Sequence, residues 1–263
     1  MTQTTLWYLL GTGFPFLMTA LGAAAVFFFR KQVRAQIQKI FLGFAAGVMI
    51  AASVWSLLIP AMEQAAQMGQ KEWLPAAGGF VLGIAFLMLL DSLIPHLHPQ
   101  TKRQEGVSAQ WKRSTMLMTA VTLHNIPEGM AVGLAFALAA QQENLVGYSA
   151  ALALAIGMGI QNFPEGAAIS LPLHQEGLSR TKSFVYGALS GAVEPIFGIA
   201  AVVLAGQIQP LMPWMLSFAA GAMMYVVVEE LIPEAKLGEH SNVGTLGVMG
   251  GFLLMMVLDV ALG

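Results

Sequence analysis

The sequence predicts an all-α integral membrane protein of eight transmembrane helices, with spans 1-3 and 6-8 forming an inverted repeat around spans 4-5. Three observations predict it. Of 263 residues, 57% are hydrophobic and 10% charged, and the mean hydropathy is +0.70, far too little charge to cover a water-soluble domain. The apolar residues gather into eight stretches near the roughly 20 residues that cross a hydrocarbon core of about 30 Å. Short motifs of the first three stretches return in the last three.

The spans run in order. Span 1 (6-29) ends at Arg30 and Lys31, and span 2 (40-61) closes on Leu58-Ile59-Pro60. Span 3 (76-95) opens with Gly78-Gly79-Phe80 and runs into His96, His98 and Pro99. Spans 4 (114-140) and 5 (146-172) each carry a polar motif at mid-length, and span 6 (183-205) carries Ser190-Gly191-Ala192-Val193-Glu194-Pro195. Span 7 (211-235) closes on Leu231-Ile232-Pro233, and span 8 (243-262) contains Gly250-Gly251-Phe252. The links are short and polar, so residues 1-263 are expected to form one domain. The first ten residues hold no Lys or Arg, so no cleavable signal peptide is expected.

Composition excludes several classes. With no cysteine, disulfides, thiolate metal sites and thiol chemistry are out. A net charge of -2 gives nucleic acid nothing to bind. The partners expected are a lipid bilayer and a cation. Arg30, Lys31, Arg34, Lys39, Lys102, Arg103, Lys112, Arg113, Arg180, Lys182 and Lys236 follow the odd-numbered spans, and only Lys71 lies on the other side. Basic residues favour the cytoplasm, which places this multi-pass protein in a cell membrane with both termini outside the cytoplasm.

Phe44-Ala45-Ala46-Gly47 recurs as Phe218-Ala219-Ala220-Gly221, and Gly78-Gly79-Phe80 as Gly250-Gly251-Phe252. Two spans between the copies turn one copy over, and inverted repeats mark transporters whose site lies near the midplane. Spans 4 and 5 form a second pair, His124-Asn125-Ile126-Pro127-Glu128-Gly129 against Gln161-Asn162-Phe163-Pro164-Glu165-Gly166. Residues four apart share a helix face, so His124 pairs with Glu128 and Gln161 with Glu165. Asn125 and Asn162 sit about 100° around. Pro127 and Pro164 free the carbonyls of Leu123 and Ile160, which a membrane tolerates only where protein, water or an ion satisfies them.

At 1.5 Å per residue, His124, Gln161 and Glu194 lie roughly 15, 22 and 16 Å into their spans. Three helices thus bring carboxylates to one level near the bilayer centre, at about 2.5-3.5 kcal/mol each. A bound cation offsets that cost directly. Imidazole, carboxylates and amides without thiolate suit Zn²⁺, Fe²⁺, Mn²⁺ or Cd²⁺, whereas an all-oxygen site would suit Ca²⁺ or Mg²⁺. The metal is expected as substrate, with no resident cofactor.

At these residues the sequence resembles the ZIP family of metal transporters, in particular its GufA-like branch, along all eight spans. The resemblance implies that His124, Glu128, Gln161, Glu165 and Glu194 bind zinc, and that Met49 in span 2 adds a thioether. It implies a weaker second locus near Asn125 and Asn162, since Asn162 stands where some members hold an Asp. It also implies uptake into the cytoplasm by alternating access, spans 1, 4, 5 and 6 moving against 2, 3, 7 and 8 in a homodimer.

Other polar residues read as peripheral. His96, His98, His174 and His240 fall in cytoplasmic segments, and Glu63 at the outer end of span 2. Asp91, Glu229 and Glu230 are expected near cytoplasmic ends, where charge reaches water cheaply. Asp259 has no assigned role. Two rivals remain: a proton- or sodium-coupled carrier of another solute, and an intramembrane zinc hydrolase. The hydrolase wants His-Glu-x-x-His, which the chain lacks, so no enzymatic activity is expected.

Overall fold

The computed structural model describes residues 3-28, 35-94, 96-97, 104-105, 113-142, 145-175, 177-207, 209-235 and 242-262. Among these, helical segments join into eight rods. Rod 1 is α1 (Gln3–Ala23) with a tightened last turn, Ala24–Phe27. Rod 2 is α2 (Ala35–Ala52), a π-helical segment Ser53–Leu58, and α3 (Ile59–Gln67). Rod 3 is α4 (Trp73–Leu93), rod 4 is α5 (Arg113–Gln142) and rod 5 is α6 (Leu145–Gln175). Rod 6 is broken into α7 (Arg180–Ser190) and α8 (Val193–Gln207). Rod 7 is α9 (Met212–Val226), a second π-helical segment Val227–Leu231, and α10 (Ile232–Glu234). Rod 8 is α11 (Val243–Leu262).

Seven rods are long and apolar enough to cross a membrane. The other, α5, is 30 residues long, and the His124-to-Glu128 motif at its middle lowers its apolarity. Leu82, Leu89, Leu246, Leu253 and Val260 point outward, while Asn125, Asn162 and Glu194 are fully buried. An apolar exterior around a polar interior suits lipid and would be untenable in water. One short antiparallel ladder, His96–Leu97 against Gln104–Glu105, interrupts the helical architecture. His98, His240 and most of the basic loop residues lie outside the described residues.

Small residues decide which rods pair. Rod 8 packs along rod 2, rod 3 along rod 7, rod 1 along rod 5, and rod 4 along rod 6. A Cβ on Gly47 would strike the Val248 carbonyl, and one on Gly251 the Phe44 carbonyl. In rods 3 and 7, Gly83 stands in the same way against the Phe218 carbonyl and Gly221 against that of Phe80. Without side chains at these crossings the backbones touch, which is how helices gain packing energy where lipid removes the hydrophobic drive.

Three departures from regular helix bear on the site. The π-helical segments precede Pro60 and Pro233, whose missing N–H groups leave the Ser56 and Glu229 carbonyls without their α-helical donors. Such wide turns often mark functional positions. Rod 6 breaks at Gly191 and Ala192, whose N–H groups turn back to Ala188 and Leu189. Pro195 lies in the first turn of α8, where a missing donor costs nothing. The motif prolines, Pro127 and Pro164, by contrast sit inside continuous helices.

Candidate metal centre

The broken rod delivers Glu194 to the first turn of α8, where helix N-termini favour negative charge. Its Oε1 accepts from the Thr19 hydroxyl at 3.2 Å, and its Oε2 from the Asn162 amide at 3.0 Å. Asn125 donates to the Ser190 carbonyl at 3.1 Å, satisfying one of the open carbonyls at the end of α7. The Gln161 amide nitrogen donates to Glu128 Oε1 at 2.9 Å and approaches the Met158 sulfur at 3.4 Å. Rods 1, 4, 5 and 6 are thereby joined through polar contacts at one level of the bundle.

Each of those contacts uses one atom and leaves another bare. Asn125 Oδ1, Glu128 Oε2, Gln161 Oε1, Asn162 Oδ1 and Glu165 Oε1 are buried oxygens with no hydrogen-bond partner. Buried oxygens normally find partners, and a bare one costs about 1-3 kcal/mol. All five belong to the two matching motifs. Glu128, Glu165 and Glu194 also act on one another electrostatically. Three bare amide oxygens beside three carboxylates, two of them with a bare oxygen of their own, ask for a cation.

His124 does not join them directly. Its Nε2 contacts Glu230 Oε1 of rod 7 at 2.5 Å, and Glu234 acts on it from the next turn. Glu230 and Glu234 are buried, which corrects the placing of Glu230 among water-exposed end residues. The wide turn carries Glu230 inward while Glu229 stays exposed. Asp91 is partly buried and accepts from the Tyr225 hydroxyl at 3.1 Å. Among the described residues no three His, Asp or Glu side chains form a ready metal cage. Two carboxylates are held by amides, and the imidazole by Glu230. Met49 is buried in the apolar core, and the thioether touching a site residue is that of Met158.

This donor set lies within a sequence that the model of the ZIP Zinc transporter family matches over residues 98–259. The chain belongs to the ZIP family. It is 39% identical to the zinc transporter ZIP11 of Homo sapiens, with 97% of each chain covered. It is 37% identical to the zinc transporter GufA of Myxococcus xanthus over 80% of this chain and 81% of that one. With the zinc transporter ZIPB of Bordetella bronchiseptica it shares 36% identity, over 97% of this chain and 81% of the relative.

In this ZIP chain the sequence motifs do not foretell the partners chosen across the helices. Glu230 is 106 positions from His124, and no spacing within one helix reports such a pair. Glu234, one turn beyond Glu230, carries an advance signal: acidic residues at i and i+4 share a helix face, whereas Glu229 falls on another.

Proposed function

We propose that this chain carries zinc into the cytoplasm by alternating access, binding it among Met49, His124, Asn125, Glu128, Gln161, Asn162, Glu165 and Glu194. The five bare buried oxygens carry the reading. Zinc at this level gives them a partner and balances the carboxylates. The amides turn their oxygens to the ion, and His124 exchanges Glu230 for the metal. A neutral imidazole and carboxylate oxygens are ordinary zinc ligands.

Eight spans in an inverted repeat fit the packing. Rod 8 on rod 2 matches rod 3 on rod 7, and rod 1 on rod 5 matches rod 4 on rod 6. The glycine crossings give the register: Gly47 corresponds to Gly221, Gly251 to Gly83 and Gly247 to Gly79. That register lies about one helical turn from the match of Gly78-Gly79-Phe80 to Gly250-Gly251-Phe252. The two π-helical segments begin at corresponding positions, Ser53 and Val227. Rods 1, 4, 5 and 6, tied by the polar contacts, then form the moving group, within a homodimer with both termini outside the cytoplasm.

Zinc uptake into proteoliposomes tests the function. Glu128→Ala and Glu165→Ala should each abolish uptake, with loss of binding well beyond the tenfold that about 1.4 kcal/mol represents, while the protein still inserts. Near-normal uptake by Glu165→Ala overturns the site. Cross-linking in native membranes checks the dimer.

A further inference from the structure

Away from the carboxylates, the ends of rods 1, 2, 4 and 6 on the N-terminal face border a half-open cavity of about 450 Å³. Its floor is Ala137, Ala140 and Val202, of which Ala137 and Val202 lie about 12-14 Å along α5 and α8 from Glu128 and Glu194 at 1.5 Å per residue. Tyr8, Gln64 and Gln141 bring a phenol and two amides to its walls, and Gly206 leaves open space at the rim. Among the described residues, no Asp, Glu, His, Lys or Arg lines it. Its volume falls within the 300-1,000 Å³ of small-molecule sites, and its exposed lining is mostly polar.

The polar walls are unspent. Among the described residues, the hydroxyl of Tyr8 and the amides of Gln64 and Gln141 hydrogen-bond to no other side chain or backbone group. Together they offer five donor hydrogens and several acceptor lone pairs. A charged ligand would lose its hydration here without meeting a counter-charge. A neutral molecule with hydroxyls or amides meets complementary groups on two sides and an apolar surface beneath. The walls also come from both bodies of the bundle: Tyr8 and Gln141 from rods 1 and 4, and Gln64 from α3 of rod 2.

We propose that this cavity is a binding site for a neutral, multiply hydrogen-bonding small molecule of the sugar or amide class, and that its occupant slows transport by tying α3 to rods 1, 4 and 6. The slowing rests on the reading above, in which those rods move against rod 2; the binding does not. A ligand that favours one arrangement of two moving bodies shifts their equilibrium by its difference in affinity.

The cysteine-free chain makes the test direct. In Gly206→Cys, the neutral disaccharide N,N′-diacetylchitobiose should slow labelling by a maleimide at least about threefold, an effect abolished by adding Gln141→Leu, since one lost hydrogen bond to a buried partner removes most weak binding. A glucose-bearing methanethiosulfonate tethered at Gly206→Cys should lower zinc uptake at least about fivefold and leave the zinc Kd within about twofold. The same reagent at Glu72→Cys, an exposed turn position, should leave uptake unchanged. An unchanged labelling rate with the disaccharide overturns the site. Uptake at the unmodified rate, or a weakened zinc Kd, after tethering overturns the restraint. Labelling protection needs no transport, so a chain that carried no zinc would fail the transport reading and leave the binding result standing.

Discussion

Gln161 and Asn162 each hold a carboxylate through an amide nitrogen and leave the amide oxygen bare. An amide oxygen is a weaker zinc ligand than imidazole or carboxylate, so both residues favour release. Gln161→His adds a strong nitrogen ligand, and Asn162→Asp adds a charge that favours a second ion. Both variants should bind zinc more tightly at equilibrium and turn over more slowly at saturating metal. Damage to the fold would instead lower affinity and rate together. Glu230 holds His124 Nε2, so in the proposed site it would compete with zinc for that nitrogen. Glu230→Gln weakens that competitor while preserving its shape, so it should lower the zinc Kd several-fold, about 1 kcal/mol, and slow release. A raised Kd would mean that Glu230 is a ligand in its own right.

At the scale of elements, the wide turn of rod 2 places Ser56 against Asp259 of rod 8, with the hydroxyl donating to Oδ1 at 2.7 Å. Asp259 Oδ2 has no partner. Ser56→Ala therefore strips the carboxylate of its hydrogen bond across the two rods and should cost about 1-3 kcal/mol. Ser56→Ala with Asp259→Leu removes both ends of the pair and should recover most of that loss in thermal unfolding of the purified protein. The helices were legible in the sequence because burial in lipid imposes a composition. Even so, the motif that makes α5 functional lowers its apolarity as a span. The π-helical turns and the break in rod 6 were not legible as such: hydropathy does not encode hydrogen-bond register, and Pro60, Pro233 and Pro195 mark only that a donor is absent. Likewise, spacing gave Glu128 and Glu165 their faces. That Gln161 would reach across to Glu128, and His124 to Glu230, depends on how the rods pack.

For the whole molecule, the orientation proposed from the distribution of basic residues has a direct test. A cysteine placed in the 100-110 loop should react with an impermeant reagent only from the cytoplasmic side, and one at Gln70, between α3 and α4, only from outside. The reverse pattern in intact cells overturns the orientation. The glycine crossings make a second demand at this scale. Ala at Gly47 or Gly221 places a methyl against a backbone carbonyl of the partner rod and forces the pair apart, whereas Ala at Gly13 or Gly250 meets open space. Gly47→Ala and Gly221→Ala should lower the fraction of monodisperse protein after extraction, and the other two should leave it unchanged.

Backbones in contact also set a clock. At the crossings of rod 2 with rod 8 and of rod 3 with rod 7, water reaches the peptide groups only when the rods part. An amide hydrogen there is traded for deuterium through an opening near the global one. The polar motifs are held in the same way: a Cβ on Gly129 would strike the Glu194 carbonyl, and one on Gly166 the Thr19 carbonyl. Deuterium uptake followed by mass spectrometry should therefore find slow peptides around Gly47, Gly83, Gly221 and Gly251 and around Gly129 and Gly166 alike, and fast exchange at the exposed turn around Gly69, where a Cβ would meet open space.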